Sequence, residues 1–464
     1  MSSAFPTQIF REYDVRGDAE RHLSSPLLRD LGRAYAALVR AGQEDKKLTV
    51  ALGRDCRLSS PRLHEALLEG LLAGGLEVVD VGIGPTPMLY FAVHHLEVFG
   101  GLMITGSHNP GHENGVKMLR RSGSIYGAEI QQLRESIQAA RWADAARGSV
   151  SQRDVQDEYA QYMKKSIRLA RTDLKFVVDA GNGSAGPLAI RTMKALGLSP
   201  VELFTEMDGH FPNHHPDPTQ PVNVAALIAK VKETGAEVGI AYDGDGDRLG
   251  AIDADGTIVW GDRLLTLFAR EILRDTPGAA IIGEVKCSQT LYDDVAKHGG
   301  RPIVWKTGHS LIKAKMKEEH ALLAGEMSGH LFFADRYFGY DDAIYASLRL
   351  LEILARTKKT IGALLADLPS TFITPEIRVD CPDAMKFDVV AEVRARFEEK
   401  LGKEKVVSID GARILFEHGW GLVRASNTQP ALVVRFEADT EARRDDYRRQ
   451  VESAIATART RLGA

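Results

Sequence analysis

The sequence predicts an α/β protein: three similar α/β domains with mixed, mainly parallel sheets, closed by a C-terminal α+β domain. Short apolar, β-branched-rich runs alternate with amphipathic stretches, which is the signature of βα units. The order strand, helix, strand, helix, strand then occurs three times in succession. Beyond residue 369 the strand-like runs crowd together, as they do in a largely antiparallel sheet.

The first pass reads as strands at 48–52, 76–81 and 101–105, with helices at 61–73 and 87–96. The second reads as strands at 174–179, 200–204 and 237–242, with helices at 185–196 and 222–232. The third reads as strands at 279–283, 302–306 and 321–324, with helices at 288–297 and 310–318. Residue identity between the passes is low, so the repeat is one of pattern. The tail reads as strands at 372–379, 406–409, 413–416, 421–424 and 432–437, with helices at 384–401 and 441–459. Boundaries fall near Gln152, Asp255 and Pro369, giving domains 1–152, 153–256, 257–369 and 370–464.

The 464 residues are enough for several domains. Apolar residues at 44% and charged residues at 26% are the balance of an ordinary soluble protein. Lys and Arg number 59 against 63 Asp and Glu, a net charge of −4. That excludes a general electrostatic grip on nucleic acid or an anionic membrane. Cys56, Cys287 and Cys381 are too scattered for a disulfide framework or a CxxC zinc site, which favours a reducing compartment. Residues 1–17 lack the apolar core of a signal peptide, and no apolar run approaches the roughly 18 residues of a membrane span. A cytoplasmic protein without nucleic-acid or membrane partners is expected, and a monomer is the simplest state, with an oligomer left open.

Each third strand is followed by a glycine-bearing polar loop: Thr105-Gly106-Ser107-His108-Asn109-Pro110, Asp243-Gly244-Asp245-Gly246-Asp247-Arg248 and Gly325-Glu326-Met327-Ser328-Gly329-His330. The carboxyl ends of strands are where α/β sheets place their ligands, so three equivalent loops imply three walls of one cleft. Asp243, Asp245 and Asp247 alternate with glycines. Carboxylates this close repel and point to a hard cation such as Mg²⁺ or Ca²⁺ rather than to a solvated turn. An EF-hand is excluded, because its sixth and twelfth positions hold Arg248 and Ala254. Ser107 is not in a Gly-x-Ser-x-Gly elbow, and alone it reads as a turn or cap residue. A divalent metal nearby would instead let it carry a phosphoryl group of about −1.5 to −2 charges.

Other motifs are weaker. Gly181-Asn182-Gly183-Ser184-Ala185-Gly186 matches a dinucleotide fingerprint, yet its acid, Glu202, falls inside the next strand, so tight strand-to-helix packing is the better reading. His214-His215 lies among three prolines and reads as a stiff connector rather than a metal site. Arg424-Ala425-Ser426-Asn427-Thr428 follows a strand and offers a fork donor, hydroxyls and an amide, an inventory that suits a phosphate.

Together these loops resemble the α-D-phosphohexomutase superfamily, in its phosphomannomutase/phosphoglucomutase branch, over nearly the whole chain from Phe10-Arg11-Glu12-Tyr13-Asp14-Val15-Arg16-Gly17 onward. The resemblance implies four domains around a central cleft and a mutase that interconverts hexose 1-phosphate and hexose 6-phosphate, for mannose and glucose. The route it implies runs through a phosphoserine enzyme and a hexose 1,6-bisphosphate. It further implies that Ser107 carries the phosphoryl group and that Ser107, Asp243, Asp245 and Asp247 hold one Mg²⁺, with Arg248 beside them. Glu326 and Ser328 match positions that bind sugar hydroxyls. Arg424, Ser426, Asn427 and Thr428 match the site of the non-reacting phosphate, with Tyr13, Arg16 and Lys286 as further contacts. Lys117, His309 and His330 fall at active-site positions, with Lys117 and His309 considered for proton transfer. Glucose 1,6-bisphosphate is the implied activator. Cys56, where relatives often have Gly, and Gln429, often Thr or Glu, depart from the pattern without touching the chemistry. The alternatives are a phosphoglucosamine mutase or other sugar-phosphate mutase, an NAD-dependent oxidoreductase using the Gly181–Gly186 loop, and a non-catalytic sugar-phosphate binder.

Overall fold

A computed structural model describes residues 5–43, 46–142, 145–426 and 430–463. By internal contacts the chain divides into two units, Met1–Leu264 with Ser328–Leu364, and Leu265–Met327 with Leu365–Ala464.

The first unit holds two mixed sheets. One runs Val15–Asp18, Glu113–Arg120, Gly100–Ile104, Thr49–Arg54, Glu77–Ile83, Val150–Gln152. Thr49–Arg54 is parallel to both Gly100–Ile104 and Glu77–Ile83, while Glu113–Arg120 returns antiparallel to Gly100–Ile104. Val50, Ala51 and Leu52 are all buried, so this central strand reads as a continuous apolar run instead of alternating. Helix Ser25–Arg40 begins at Ser24, whose side chain accepts from the Leu27 N–H, and buries Leu28, Leu31 and Tyr35. It packs on helix Ser60–Ala73 through glycines: a Cβ on Gly70 would lie 2.0 Å from the Arg29 carbonyl oxygen. The other sheet runs Ile258–Val259, Leu249–Asp253, Val238–Tyr242, Phe176–Asp179, Val201–Leu203, parallel over its last three strands and antiparallel over the first three. Helix Ala343–Thr357 is capped by the Asp342 carboxylate, which accepts from the Tyr345 N–H at 2.8 Å.

In the second unit Ala280–Glu284 lies between Arg301–Trp305 and Leu323–Gly325, all parallel. An antiparallel sheet follows, in the order Phe372–Ile373, Ala431–Ala438, Gly419–Ala425, Ala412–Phe416, Val406–Val407. Helices Lys386–Leu401 and Glu441–Arg461 bury Val389, Val393, Val451 and Ile455 with Val434 and Phe436 of the sheet.

Each strand expected between residues 48 and 324 overlaps an observed one. The single strand expected at 372–379 is two, Phe372–Ile373 and Ile377–Asp380, because Pro375 between them has no N–H for a ladder. The sequence reading also passed over helix Ser25–Arg40 and the antiparallel strands Glu113–Arg120 and Leu249–Asp253.

Candidate active site

Ser107 stands just past strand Gly100–Ile104, 2% exposed, with its backbone at φ +49°. A non-glycine residue in this left-handed region is disfavoured by about 1–2 kcal/mol, so the surroundings must hold it there. The Ser107 N–H donates to Thr105 Oγ1 at 2.8 Å, and the Ser107 carbonyl accepts from Arg57 Nη2 at 2.6 Å. Its hydroxyl donates to Asp243 Oδ2 at 3.0 Å. The serine loop and the carboxylate loop therefore meet through the atom the sequence reading singled out.

Asp243, Asp245 and Asp247 are each 0% exposed, and their oxygens fall within 4.8 Å of one another. Backbone N–H groups of Asp247 and Arg248 donate to Asp243 Oδ1, both at 3.1 Å. Lys117, on strand Glu113–Arg120, donates to Asp245 Oδ2 at 2.6 Å and Asp247 Oδ2 at 2.5 Å. Thr86 Oγ1, at the start of helix Thr86–His95, donates to Asp245 Oδ2 at 2.6 Å. Burial and the neighbouring charges of Asp247 and Asp245 push the Asp243 carboxyl well up. Burial raises Asp245 and Asp247 too, joined at Asp245 by the Asp247 charge, but the Lys117 ammonium, with Thr86 at Asp245 and His330 and Arg248 at Asp247, brings both below the usual range. Asp245 Oδ1 is buried and accepts no hydrogen bond among the described residues. Three desolvated carboxylates, one with an unused oxygen, are the donor set of a hard divalent cation, and they fit one.

Arg248 Nε lies 3.9 Å from Asp243 Oδ2 and donates to His330 Nε2 at 3.2 Å, and the same imidazole nitrogen is 3.1 Å from Asp247 Oδ1. Arg16 joins the serine loop: Nη1 donates to Asn109 Oδ1 at 3.1 Å, and Nη2 pairs with Asp14 at 2.6 Å. Tyr13 is half-buried just before strand Val15–Asp18. His108 faces Asp217 at 3.3 Å, yet burial and the Arg248 charge push its imidazole down to about 4. Ser328 belongs to this unit and is half-buried in a turn.

The other motifs of this unit have structural partners. A Cβ on Gly186 would lie 2.1 Å from the Thr205 carbonyl oxygen, and Ser184 Oγ donates to the Gly244 carbonyl at 2.9 Å. The fingerprint-like loop thus packs closely and buttresses the carboxylates. His214 Nε2 is 3.0 Å from Asp179 Oδ1 and His215 Nε2 is 2.5 Å from the His108 carbonyl, so the two rings do not converge. A groove of about 1010 Å³ bounded by Lys47, Arg120, Arg121 and Arg153 sits at the amino ends of the parallel strands, opposite Ser107.

In the second unit Lys286 follows strand Ala280–Glu284, 7% exposed, with Nζ 3.3 Å from Glu376 and 3.8 Å from Glu284. Burial lowers its ammonium, but Glu284 and Glu376 outweigh that and raise it. Glu326, 3% exposed, accepts from the Gly308 N–H at 2.6 Å, which ties it to the half-buried His309 at the start of helix His309–Glu319. Arg424 pairs with Asp410 at 3.0 Å, and the same carboxylate accepts from the Thr307 N–H at 3.0 Å. Ser426 is 8% exposed, with its carbonyl held by Lys386 Nζ at 2.6 Å. Asn427 and Thr428 lie outside the described residues.

Sequence reasoning passed over Arg57, Asp55, Thr86, Glu284 and Asp410. Asp55-Cys56-Arg57 directly follows a strand, and that position was the one available signal for it.

Four domain descriptions of a single family match the chain: phosphoglucomutase/phosphomannomutase alpha/beta/alpha domain I over residues 7–144, domain II over 157–256, domain III over 260–372 and the C-terminal domain over 376–454. The chain is 46% identical over 440 residues to a phosphomannomutase/phosphoglucomutase of Pseudomonas putida, covering 95% of this chain and 94% of the relative. It is 44% identical to a phosphoglucomutase of Neisseria gonorrhoeae over 435 residues, 94% of each. A crystal structure of a phosphoglucomutase/phosphomannomutase family protein from Burkholderia thailandensis is 47% identical, covers 97% of this chain and 98% of its own, and superposes with a TM-score of 0.91.

Proposed function

This chain belongs to the phosphoglucomutase/phosphomannomutase family and is a phosphohexomutase, and from that premise we propose that Ser107 is the group that carries the phosphoryl between the two ends of a hexose. The contact of Ser107 Oγ with Asp243, inside a cluster of three buried carboxylates, is the observation that supports this most. In this reading phosphorylated Ser107 gives up its phosphoryl group to a hydroxyl of a hexose monophosphate. The Oγ–P bond breaks, a sugar O–P bond forms, and the hydroxyl proton passes by way of a base to Ser107 Oγ. The 1,6-bisphosphate presents its other phosphate, which passes to Ser107 as the substrate's original O–P bond breaks, and the Ser107 proton goes to the sugar oxygen so freed.

Ser107, Asp243, Asp245 and Asp247 would hold one Mg²⁺, which when bound offsets charge on the transferring group. Arg248 adds a fixed positive charge beside them. Lys117 and His309 are the proton-transfer groups. Glu326 and Ser328 bind the sugar hydroxyls, and His330 orients Arg248. Arg424, Ser426, Asn427 and Thr428 hold the non-reacting phosphate, with Lys286, Arg16 and Tyr13. We assign one loop to each domain, 1–152, 153–256, 257–369 and 370–464. Every group named comes from one chain, so a monomer suffices. Glucose 1,6-bisphosphate is the activator in this scheme, because it rephosphorylates Ser107 when the intermediate escapes. No helix among the described residues is long and apolar enough to cross a membrane, and we place the enzyme in the cytoplasm.

Specificity follows from the reorientation. A half-turn of the bisphosphate exchanges the 3- and 4-hydroxyls, and the Glu326 carboxylate accepts from both in either pose. C2, where glucose and mannose differ, has no discriminating contact in this scheme. Glucose 1-phosphate and mannose 1-phosphate should show kcat/KM values within about tenfold, or 1.4 kcal/mol, of each other. A preference beyond about 100-fold in parallel assays would show that a residue reads C2.

A further inference from the structure

Arg57 has no part in the scheme above, and it is only 1% exposed. All five of its side-chain N–H donors are used. Nε donates to Asp55 Oδ2 at 3.1 Å. Nη1 donates to the carbonyls of Pro110 at 2.7 Å and Glu113 at 2.9 Å. Nη2 donates to those of Ser107 at 2.6 Å and Asn109 at 2.7 Å. Three carbonyls of the serine loop and that of Glu113, where the next strand begins, thus converge on one guanidinium. Asp55 completes the grip from the other side, with Oδ2 accepting from the Gly106 N–H at 3.2 Å and Oδ1 from Ser60 Oγ at 2.5 Å.

The loop is built around this side chain. A Cβ on Gly106 would lie 2.5 Å from Arg57 Cζ, so only glycine admits the guanidinium there. The Ser107 carbonyl that Arg57 holds is also the atom nearest Gly244 of the carboxylate loop, 2.4 Å from where a Cβ would stand. Arg57 on one side and the carboxylate loop on the other fix the peptide of a residue whose backbone sits at φ +49°.

We infer that Arg57 is a positioning residue for phosphoryl transfer: with Asp55 it holds the serine loop so that Ser107 Oγ keeps its place at the carboxylates while its charge changes. The inference rests on the phosphoserine reading. Over one cycle Ser107 Oγ is in turn leaving group and nucleophile, and it alternates between a neutral hydroxyl and a group of about −1.5 to −2 charges. A loop tethered only by its own backbone would shift with that change, and small misplacements of reacting atoms are costly in rate. Arg57 is buried and spends all five donors on protein groups other than Oγ, which leaves none for a sugar phosphate, so its effect belongs in the transfer step and not in sugar-phosphate binding. Lysine keeps the charge but offers three donors from one point, which cannot serve four divergent carbonyls.

The test is Arg57→Lys in the full-length enzyme, with Arg29→Lys as a control because Arg29 pairs with the exposed Glu69 at the surface. Arg57→Lys should lower kcat by about 30-fold or more with KM for glucose 1-phosphate within about threefold. Single-turnover transfer from phosphorylated Ser107 should slow by the same factor. Asp55→Asn, which keeps the shape and weakens the grip, should lower kcat by a smaller factor, again at constant KM. It decides by the same criterion if Arg57→Lys does not fold. A kcat within twofold of the parent, or a KM that rises in step with the loss of kcat, overturns the inference. A parent that never carries phosphate on Ser107 overturns the phosphoserine reading and the clamp's purpose together. A phosphorylated parent whose Arg57→Lys variant transfers normally overturns the clamp alone.

Discussion

The first unit surrounds Ser107 with carboxylates that water does not reach: Asp245 and Asp247 side chains are 0% exposed, and the Lys117 that bridges them is 5% exposed. The second unit reverses both sign and setting. Lys286 and Arg424 are buried cations, and although Glu284 beside Lys286 is buried as well, the nearer partners Glu376 and Asp410 are 25% and 16% exposed. Charges in a dry surrounding interact strongly and hold fixed positions, whereas a pair with one wet member is screened and can share its cation with an incoming anion. The first arrangement is therefore suited to the reacting phosphoryl group, where geometry sets the rate. The second is suited to holding a phosphate that must be released and replaced, where affinity matters more.

The largest effect should come from Ser107→Ala, which removes the group proposed to carry the phosphoryl and should lower turnover at least about 10³-fold. Sugar-phosphate binding, measured calorimetrically, should survive because the Arg424 loop is untouched. Near-normal turnover would break the contrast at once. Asp245→Asn comes next. It takes a charge from an oxygen set built for a cation, so turnover should fall about 10- to 100-fold and recover in part at high Mg²⁺. Parent activity that survives EDTA would contradict it. Arg424→Ala should instead raise KM by roughly tenfold or more and change kcat by a factor of only a few. A KM unchanged within about twofold would show that the second unit does not hold the phosphate in this way.

The smallest effect sharpens the contrast through stability. Burial pushes the Asp342 carboxyl up to about 6, although it accepts from the Tyr345 N–H and from the Tyr337 and Tyr159 hydroxyls. The unfolded chain loses this proton near pH 3.9, so between about pH 4 and 6 the native state binds the proton more tightly. Stability should therefore fall as pH rises through that window and level off above it. Asp342→Asn keeps the helix cap and removes the titration, so its denaturation free energy should lose on the order of 2 kcal/mol less than the parent's between pH 4.5 and 7. Equal losses would show that the buried carboxyl is not raised.

The parts of the site visible in the sequence were those whose chemistry is concentrated in a few consecutive residues. Asp243, Asp245 and Asp247 announce a cation by repulsion alone, and Ser107 gains meaning from them. Arg57 was not visible, because its four carbonyl acceptors are backbone groups that any sequence possesses. Asp410 was missed for a related reason: its partners Thr307 and Arg424 lie 103 and 14 residues away, and only the fold unites the three. In the fold, buried parallel strands such as Thr49–Arg54 were legible from apolar runs. Strand Glu113–Arg120 was not, because Lys117 within it is buried by its role among the carboxylates and breaks the apolar pattern.

Phosphate on Ser107 is the most direct measurement. The parent is incubated with glucose 1,6-bisphosphate and Mg²⁺, and intact mass and phosphopeptide mapping are compared before and after phosphatase treatment. An added mass of about 80 Da that maps to Ser107, disappears on incubation with excess glucose 6-phosphate, and is absent from Ser107→Ala is the expected result. A fully active parent with no phosphate at Ser107 at any stage would contradict it.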